Sequence, residues 1–267
     1  MTTETILLVG RDVEGLGDLL ETHARRLRRR IDVDTVAVAT YEDEPIRELR
    51  PQLDSVTADT VYAVPMVAAH TRDTTTEIPA ALSTVPGTVH YCEPPGQSPA
   101  ITDVLAQRAR SAVAPGDDAS LAVVSFGSSS KPYQRQTTAY HASRLAAQTA
   151  YDSVVTCYLL QNPAVECVRY NVPTSEAVVV PLFLGRSEAT ERRIPEALEL
   201  HRGGLAYADP LLDHPGVTDA IAAEIEKQRT LADGSTPADS FEATLTDTQR
   251  PVATDGDGSA TETDERR

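Results

Sequence analysis

Tryptophan is absent from these 267 residues, lysine occurs only at Lys131 and Lys227, and phenylalanine is limited to three positions. With 24 basic residues against 40 acidic ones and a formal charge of -16, the chain lacks the basic surface that a nucleic-acid partner needs. Long apolar runs are missing as well. No segment approaches the roughly 20 apolar residues of a membrane span, and "MTTETILLVG" opens with neither a basic region nor an extended apolar one. The expectation is a soluble, cytoplasmic protein with no membrane and no nucleic-acid partner. Cysteine is scarce too. Cys92, Cys157 and Cys167 are odd in number and form no CxxC pair, which speaks against a disulfide or a zinc site and predicts buried free thiols.

What is present is apolar enough, at 40%, to bury a core. Dense carboxylates with little lysine suit a protein that folds in concentrated salt, where Coulomb repulsion is screened within a few ångströms. The net charge then needs no partner to explain it.

A line of sequence also recurs. "VYAVPMVAAHTRDTTTEIPAAL" at 61–82 returns as "AVVVPLFLGRSEATERRIPEAL" at 177–198, with Pro65 and Pro181, Ile78 and Ile194, and Pro79 and Pro195 each 116 positions apart. "YCEPPGQSPAITDVL" at 91–105 and "YADPLLDHPGVTDAI" at 207–221 keep that spacing. Earlier, His23 and His141, like Pro45 and Pro163, stand 118 apart, the slippage falling in loops. The chain reads as a tandem duplication. In each copy short β-branched runs alternate with longer amphipathic ones, which predicts a parallel four-stranded sheet with helices on both faces, a three-layer α/β/α domain. The expected domains are 1–115 and 119–230, joined by the turn-rich "APGDDAS". Residues 231–267, acidic and without apolar periodicity, are expected to form a disordered tail.

The strands ending in Val-Pro, the Ile-Pro that follows each at fixed distance, the "YCEPPG" segment with its helix, and the duplication together resemble the CbiX type of sirohydrochlorin chelatase, an ATP-independent class II metal chelatase. The likeness covers about residues 1–225. It implies chelatase-like domains with a flavodoxin-like strand order and a ligand cleft between them. It also implies insertion of Co2+ or Fe2+ into sirohydrochlorin in cobalamin or siroheme biosynthesis, with no resident cofactor, the metal as substrate and the tetrapyrrole as partner. Because the duplication supplies both walls of such a cleft, a monomer suffices. The family's paired histidines are replaced here: Arg11 stands at the first position and Phe126 at its repeat, Asp73 at the second and Ala189 at its repeat. Two other readings stand beside insertion: a paralogue that binds or carries a tetrapyrrole or metal without inserting it, and an unrelated two-lobed small-molecule receptor.

Metal insertion needs a group that handles the ion and a base that accepts pyrrole N–H protons, and a neutral imidazole suits both. Carboxylates are harder alternatives. Open α/β sheets bind ligands at strand carboxyl ends, where His70 follows "VYAVPM" and Asp73 and Glu77 open the next helix. His70 and Asp73 are therefore the candidate catalytic residues, and His70, Asp73 and Glu77 the candidate metal-handling set. The competing reading is a solvated loop histidine whose acidic neighbours cap a helix. For a carboxylate-rich ligand, the loop "FGSSSKPY" offers Ser128, Ser129, Ser130 and the scarce Lys131, with Arg11 able to pair bidentately. Its competing reading is an ordinary serine-rich helix start.

His90 and Glu93 bracket a strand end, and alternation sets them on opposite faces. Leu19, His23 and Leu27 recur at helical spacing, so His23, and likewise His141 with Leu145, is read as a core histidine with its hydrogen bonds satisfied. "RRLRRR" at 25–30 reads as the solvated end of a helix.

Overall fold

A computed structural model describes residues 2–13 and 15–234. The expected tail lies outside the described residues, apart from its first few positions, through which the last helix runs on to Gly234.

The first copy comprises β1 (Glu4–Arg11), α1 (Leu16–Leu27), β2 (Thr35–Tyr41), α2 (Pro45–Leu53), β3 (Thr60–Pro65), α3 (Ile78–Leu82), β4 (Thr88–Tyr91) and α4 (Pro99–Ala112). The second comprises β5 (Ala119–Ser125), α5 (Tyr133–Gln148), β6 (Ser153–Tyr158), α6 (Val168–Asn171), β7 (Glu176–Pro181), α7 (Ile194–Ala197), β8 (Ala206–Tyr207) and α8 (Pro215–Gly234). Both sheets are parallel and four-stranded, in the orders β2-β1-β3-β4 and β6-β5-β7-β8. This is the expected pair of α/β domains. Register fixes the equivalences: Leu8 lies between Val38 and Val64, and Val123 lies between Thr156 and Val180. By that register Arg11 and Phe126 occupy matching places, each just past the same ladder position.

The helices do not respect the boundary that the duplication suggests. The last helix of each copy crosses over: α4 packs on β7 of the second sheet, α8 packs on β3 of the first, and the two helices pack on each other. One apolar core therefore runs through both copies, from Ile6 and Leu8 through Ile101 and Leu105 to Val123, Val180, Val217 and Ile221. Two smaller cores lie under the outer faces, one around Leu49, Leu53, Ile78 and Leu82, the other around Phe183, Ile194 and Leu198. Met1–Gly234 accordingly forms one compact unit.

The exchange is pinned by the two histidines that the duplication repeats. His23 of α1 is 1% exposed and hydrogen-bonds Thr218 Oγ1 at 2.9 Å through Nδ1 and the Leu212 carbonyl at 3.2 Å through Nε2. His141 of α5 is fully buried and bonds Thr102 Oγ1 at 2.9 Å and the Gly96 carbonyl at 2.7 Å. Both are core histidines with satisfied rings, and each is satisfied by the other copy. The arginine run takes part in the same seam: Arg26 pairs with Asp213 at 3.3 Å and Arg30 with Asp219, so the end of α1 is clamped to α8 and the loop before it. These pairs remain half exposed, where an ion pair contributes at most about 1 kcal/mol.

Gly96 explains why the loop before α4 is glycine. A Cβ there would stand 2.2 Å from the Ala68 carbonyl oxygen and 2.3 Å from Ala68 Cα, both backbone atoms that cannot swing aside. Gly96→Ala is expected to destabilise the fold by about 1–3 kcal/mol, read as a lowered denaturant midpoint. An unchanged midpoint would mean that the loops after β3 and β4 part freely.

Three departures from the sequence reading follow local chemistry. β8 is only Ala206–Tyr207, because Gly203 and Gly204 both take left-handed φ, 69° and 77°, and break the strand before it begins. Cys92 and Cys157 are buried free thiols, whereas Cys167, also free, sits exposed at a short helical turn. The helix that Asp73 and Glu77 were expected to open begins as a π-helical turn, Asp73–Glu77, before α3, and Ala189–Arg193 repeats this before α7. Pro79 and Pro195 are the cause: neither can donate to the preceding turn, and each ring crowds the carbonyl four residues back, so that turn widens. Ile78 N–H then reaches Asp73 O, and Ile194 N–H reaches Ala189 O.

Candidate functional site

The carboxyl ends of both sheets open onto one cleft of about 490 Å3. Arg11 at the end of β1 and Val13 beyond it line the cleft, with Met66 to Ala69 and Thr71 beyond β3, and Ser125 and Phe126 at the end of β5. Leu182 to Ala189 and Arg193 line it beyond β7, and α5 adds Gln134 and Thr138. Its walls are mostly apolar, with Phe126 and Phe183 in ring contact at 4.9 Å.

Ala69 and Thr71, on either side of His70 in the chain, line this cleft, but His70 itself is not among its lining residues. Its side chain is 17% exposed; Nε2 meets Glu93 Oε2 at 2.9 Å, Nδ1 meets Thr74 Oγ1 at 3.2 Å, and its ring stands edge-on to Tyr133 of α5, 5.8 Å away. The imidazole thus spans the exits of β3 and β4 and touches the second copy. Its hydrogen bond holds the Glu93 carboxyl below the usual carboxylate range, so Glu93 stays ionised in neutral solution. His90, by contrast, stacks on Tyr62 at 5.2 Å, and burial lowers its pKa.

The three candidate metal-handling residues share one turn but diverge. Asp73 accepts a hydrogen bond from the Tyr41 hydroxyl at 3.1 Å, which turns it back toward the end of β2. Glu77 pairs with Arg72 at 3.5 Å and faces a separate surface groove beside Asp43, Glu44 and Arg47. Among the described residues, no three His, Cys, Asp or Glu side chains lie close enough to hold a metal ion together. The sequence spacing brought Asp73 and Glu77 to one turn just after His70; the widened π winding and the partners of each side chain point them apart.

Arg11 does line the cleft. Its Nε donates to the Glu42 carbonyl at 2.5 Å and a terminal nitrogen pairs with Asp43 at 2.7 Å, so the guanidinium is braced by the end of β2. The serine loop is not arranged as an open anion cradle. Gly127, at φ 72°, turns the chain so that Ser128 N donates to Gln161 Oε1 at 3.1 Å, and Ser128 Oγ accepts from the backbone N–H of Ser130 and Lys131 at 3.3 and 3.2 Å. Of the N–H groups expected to face a ligand, that of Ser128 is taken by Gln161 and those of Ser130 and Lys131 by Ser128 Oγ. Ser129 and Lys131 are exposed, and none of Ser128 to Lys131 lines the cleft.

Sequence reasoning passed over Arg186 and Arg193, which both line the cleft. The repeat could have found them. At 116 positions on, His70 maps to Arg186, Glu93 to Asp209 and Glu77 to Arg193. The mapping holds in space: Arg186 pairs with Asp209 at 2.8 Å, matching the 2.9 Å contact of His70 with Glu93.

Fold and site together define a tandemly duplicated, doubly wound α/β protein with a cleft where its two sheets meet. The CbiX family model matches residues 9–112 and again 120–228, once for each copy, and the chain belongs to the CbiX family. A probable sirohydrochlorin cobaltochelatase of Halobacterium salinarum is 29% identical over 202 residues, covering 66% of this chain and 68% of that protein. SirB from Bacillus subtilis, solved with Fe3+, superposes with a TM-score of 0.69 at 18% identity over 87% of this chain and 98% of SirB. A multi-domain protein from Deinococcus radiodurans with structural similarity to chelatases gives 0.68 at 20% identity over 84% of this chain, which spans 55% of that longer protein. The solved structures share the fold. No described helix is long and apolar enough to cross a membrane.

Proposed function

We propose that this protein inserts a divalent metal into sirohydrochlorin, and that the tetrapyrrole lies in the cleft between the two sheets. The observation that carries the reading is the cleft itself: both copies of a CbiX sequence present their strand exits to one mostly apolar space of about 490 Å3, and such crevices are where open α/β sheets take ligands. Cobalt is the metal of the named halobacterial relative, which gives Co2+ precedence over Fe2+. Metal and macrocycle are both substrates here.

The chain's own part is to seat the macrocycle, exclude water from one of its faces and receive the inner N–H protons as the metal enters. His70 is the proton acceptor in this reading. Glu93, ionised and in contact with Nε2, fixes the ring and stabilises the imidazolium that forms. Arg11, where the resemblance leads one to expect a histidine, adds positive charge to the cleft wall. Asp73, at the other replaced position, is held by Tyr41 and braces the turn.

The experiment mixes the purified chain with sirohydrochlorin and Co2+ or Fe2+ in concentrated potassium chloride and follows the absorbance change on insertion. A rate above the uncatalysed one is expected, faster with Co2+. No acceleration with either metal would refute insertion and leave a binding role.

A further inference from the structure

The duplicated strand exits have kept their frame and exchanged their charge. In the first copy Thr71 N donates to Thr74 Oγ1 at 2.9 Å, and in the second Ser187 N donates to Thr190 Oγ1 at 2.9 Å, each just before the same π turn. Matched positions are therefore held in matched places. On that shared frame residues 70–77 carry Arg72 against Asp73 and Glu77, while residues 186–193 carry Arg186, Arg192 and Arg193 against Glu188 and Glu191. The carboxylate of Glu77 has become a guanidinium at Arg193.

The cleft-lining guanidiniums differ in what already holds them. Arg11 is paired with Asp43, and Arg186 is forked between Glu191 and Asp209. Arg193 lines the cleft, is exposed, and has no ion-pair partner among the described residues; its neighbour Arg192 takes Glu188. In a chain of charge -16, that leaves a solvent-accessible guanidinium without an ion pair on the wall of a cleft that Phe183 and Leu184 also line.

We infer that Arg193 is the seat for a carboxylate of the ligand, and that it sets which edge of a polycarboxylate macrocycle lies against the second copy, leaving the opposite edge to His70. A guanidinium meets a carboxylate through two parallel hydrogen bonds, which fixes orientation as well as affinity. The identity of the macrocycle rests on the proposed function; the carboxylate chemistry of the seat does not.

Two probes separate the two claims: sirohydrochlorin, read by both binding and insertion, and uroporphyrin, which bears carboxylates on every pyrrole and reports binding through its own fluorescence. Arg193→Glu, which restores the residue type of the first copy, is expected to weaken binding of both probes by about tenfold or more. Arg193→Gln should weaken them less. KM for sirohydrochlorin rises in parallel while kcat stays within about twofold, and Arg192→Glu changes neither constant by more than that. If the unaltered protein binds the probes and Arg193→Glu binds them equally well, the seat is refuted, whatever the insertion assay shows. If the unaltered protein binds uroporphyrin, loses it on Arg193→Glu, and yet inserts no metal, the seat stands and the insertion reading falls. Binding of neither probe by the unaltered protein overturns both.

Discussion

Acidifying the protein from pH 7 toward pH 4 is expected to remove about 6 kcal/mol from its stability, chiefly through His23 and His141. Burial lowers each imidazole from 6.5 to about 4, with the hydrogen bonds to the Leu212 and Gly96 carbonyls opposing it. The unfolded chain binds a proton at each site below pH 6.5, whereas the folded chain does not until about pH 4. Between those values the unfolded state holds more protons, so stability rises with pH and is lost as pH falls. Each histidine contributes a slope approaching 1.4 kcal/mol per pH unit, hence about 3 kcal/mol over the window. Against a typical total of about 5–15 kcal/mol, that suffices to bring the fold to its limit.

The cause makes the effect resistant to salt. Surface pairs such as Arg30 with Asp219 are screened in molar salt, but desolvation of an imidazole that is 1% exposed or less is not. Denaturant unfolding between pH 5 and 7 in concentrated potassium chloride isolates the histidines, since carboxylates with lowered pKa, such as Glu93, titrate beneath that range. His141→Gln should cost stability at pH 7 by disturbing its bonds to Thr102 and Gly96, yet flatten the pH slope, leaving the part due to His23 and the smaller parts due to His90 and His214, which burial also lowers. Because both histidines bind across the copies, the two sheets are expected to unfold in one transition. A slope unchanged by removing either histidine would show that the lock is not what titrates.

The histidine locks were legible in part. Helical spacing put His23 on the buried stripe of α1, and the repeat extended that to His141, but periodicity says only that a face is buried and not against which sheet. The crossing of α4 and α8 is therefore visible only in three dimensions. The parallel four-stranded sheets were open to reading from Val-rich runs alternating with amphipathic ones, while strand order came only with the resemblance to the family. Side-chain direction was not. Asp73 and Glu77 looked convergent on a regular helix, and the proline-widened turn separates them. The serine loop looked like an anion cradle because sequence gives the donors but not their aim, which Gly127 and Gln161 set. Arg193 differs in kind: it stands out only where the repeat fails to match, opposite Glu77 at 116 positions, whereas descent is written in the positions that agree.

His70→Ala is expected to lower the turnover of metal insertion by about a hundredfold or more, the usual contribution of a positioned acid–base group, while sirohydrochlorin affinity changes little. The imidazole lies beside the cleft-lining residues Ala69 and Thr71 with Nε2 held by Glu93, so its basic nitrogen is Nδ1, now against Thr74 Oγ1, and truncation removes that base without emptying an apolar wall. Added free imidazole should return part of the lost turnover to His70→Ala, a rescue that a merely structural role would not show. The sharper variant is His70→Arg, which copies the second copy's own solution, Arg186 with Asp209, into the first. An arginine there can still pair with Glu93 and hold the turn, but a guanidinium keeps its proton throughout the working pH range and accepts none. Loss of turnover in both variants, with intact folding and intact macrocycle binding, assigns the proton to His70. Turnover preserved in His70→Arg would show that the acceptor lies elsewhere and that His70 and Arg186 are two versions of one structural brace.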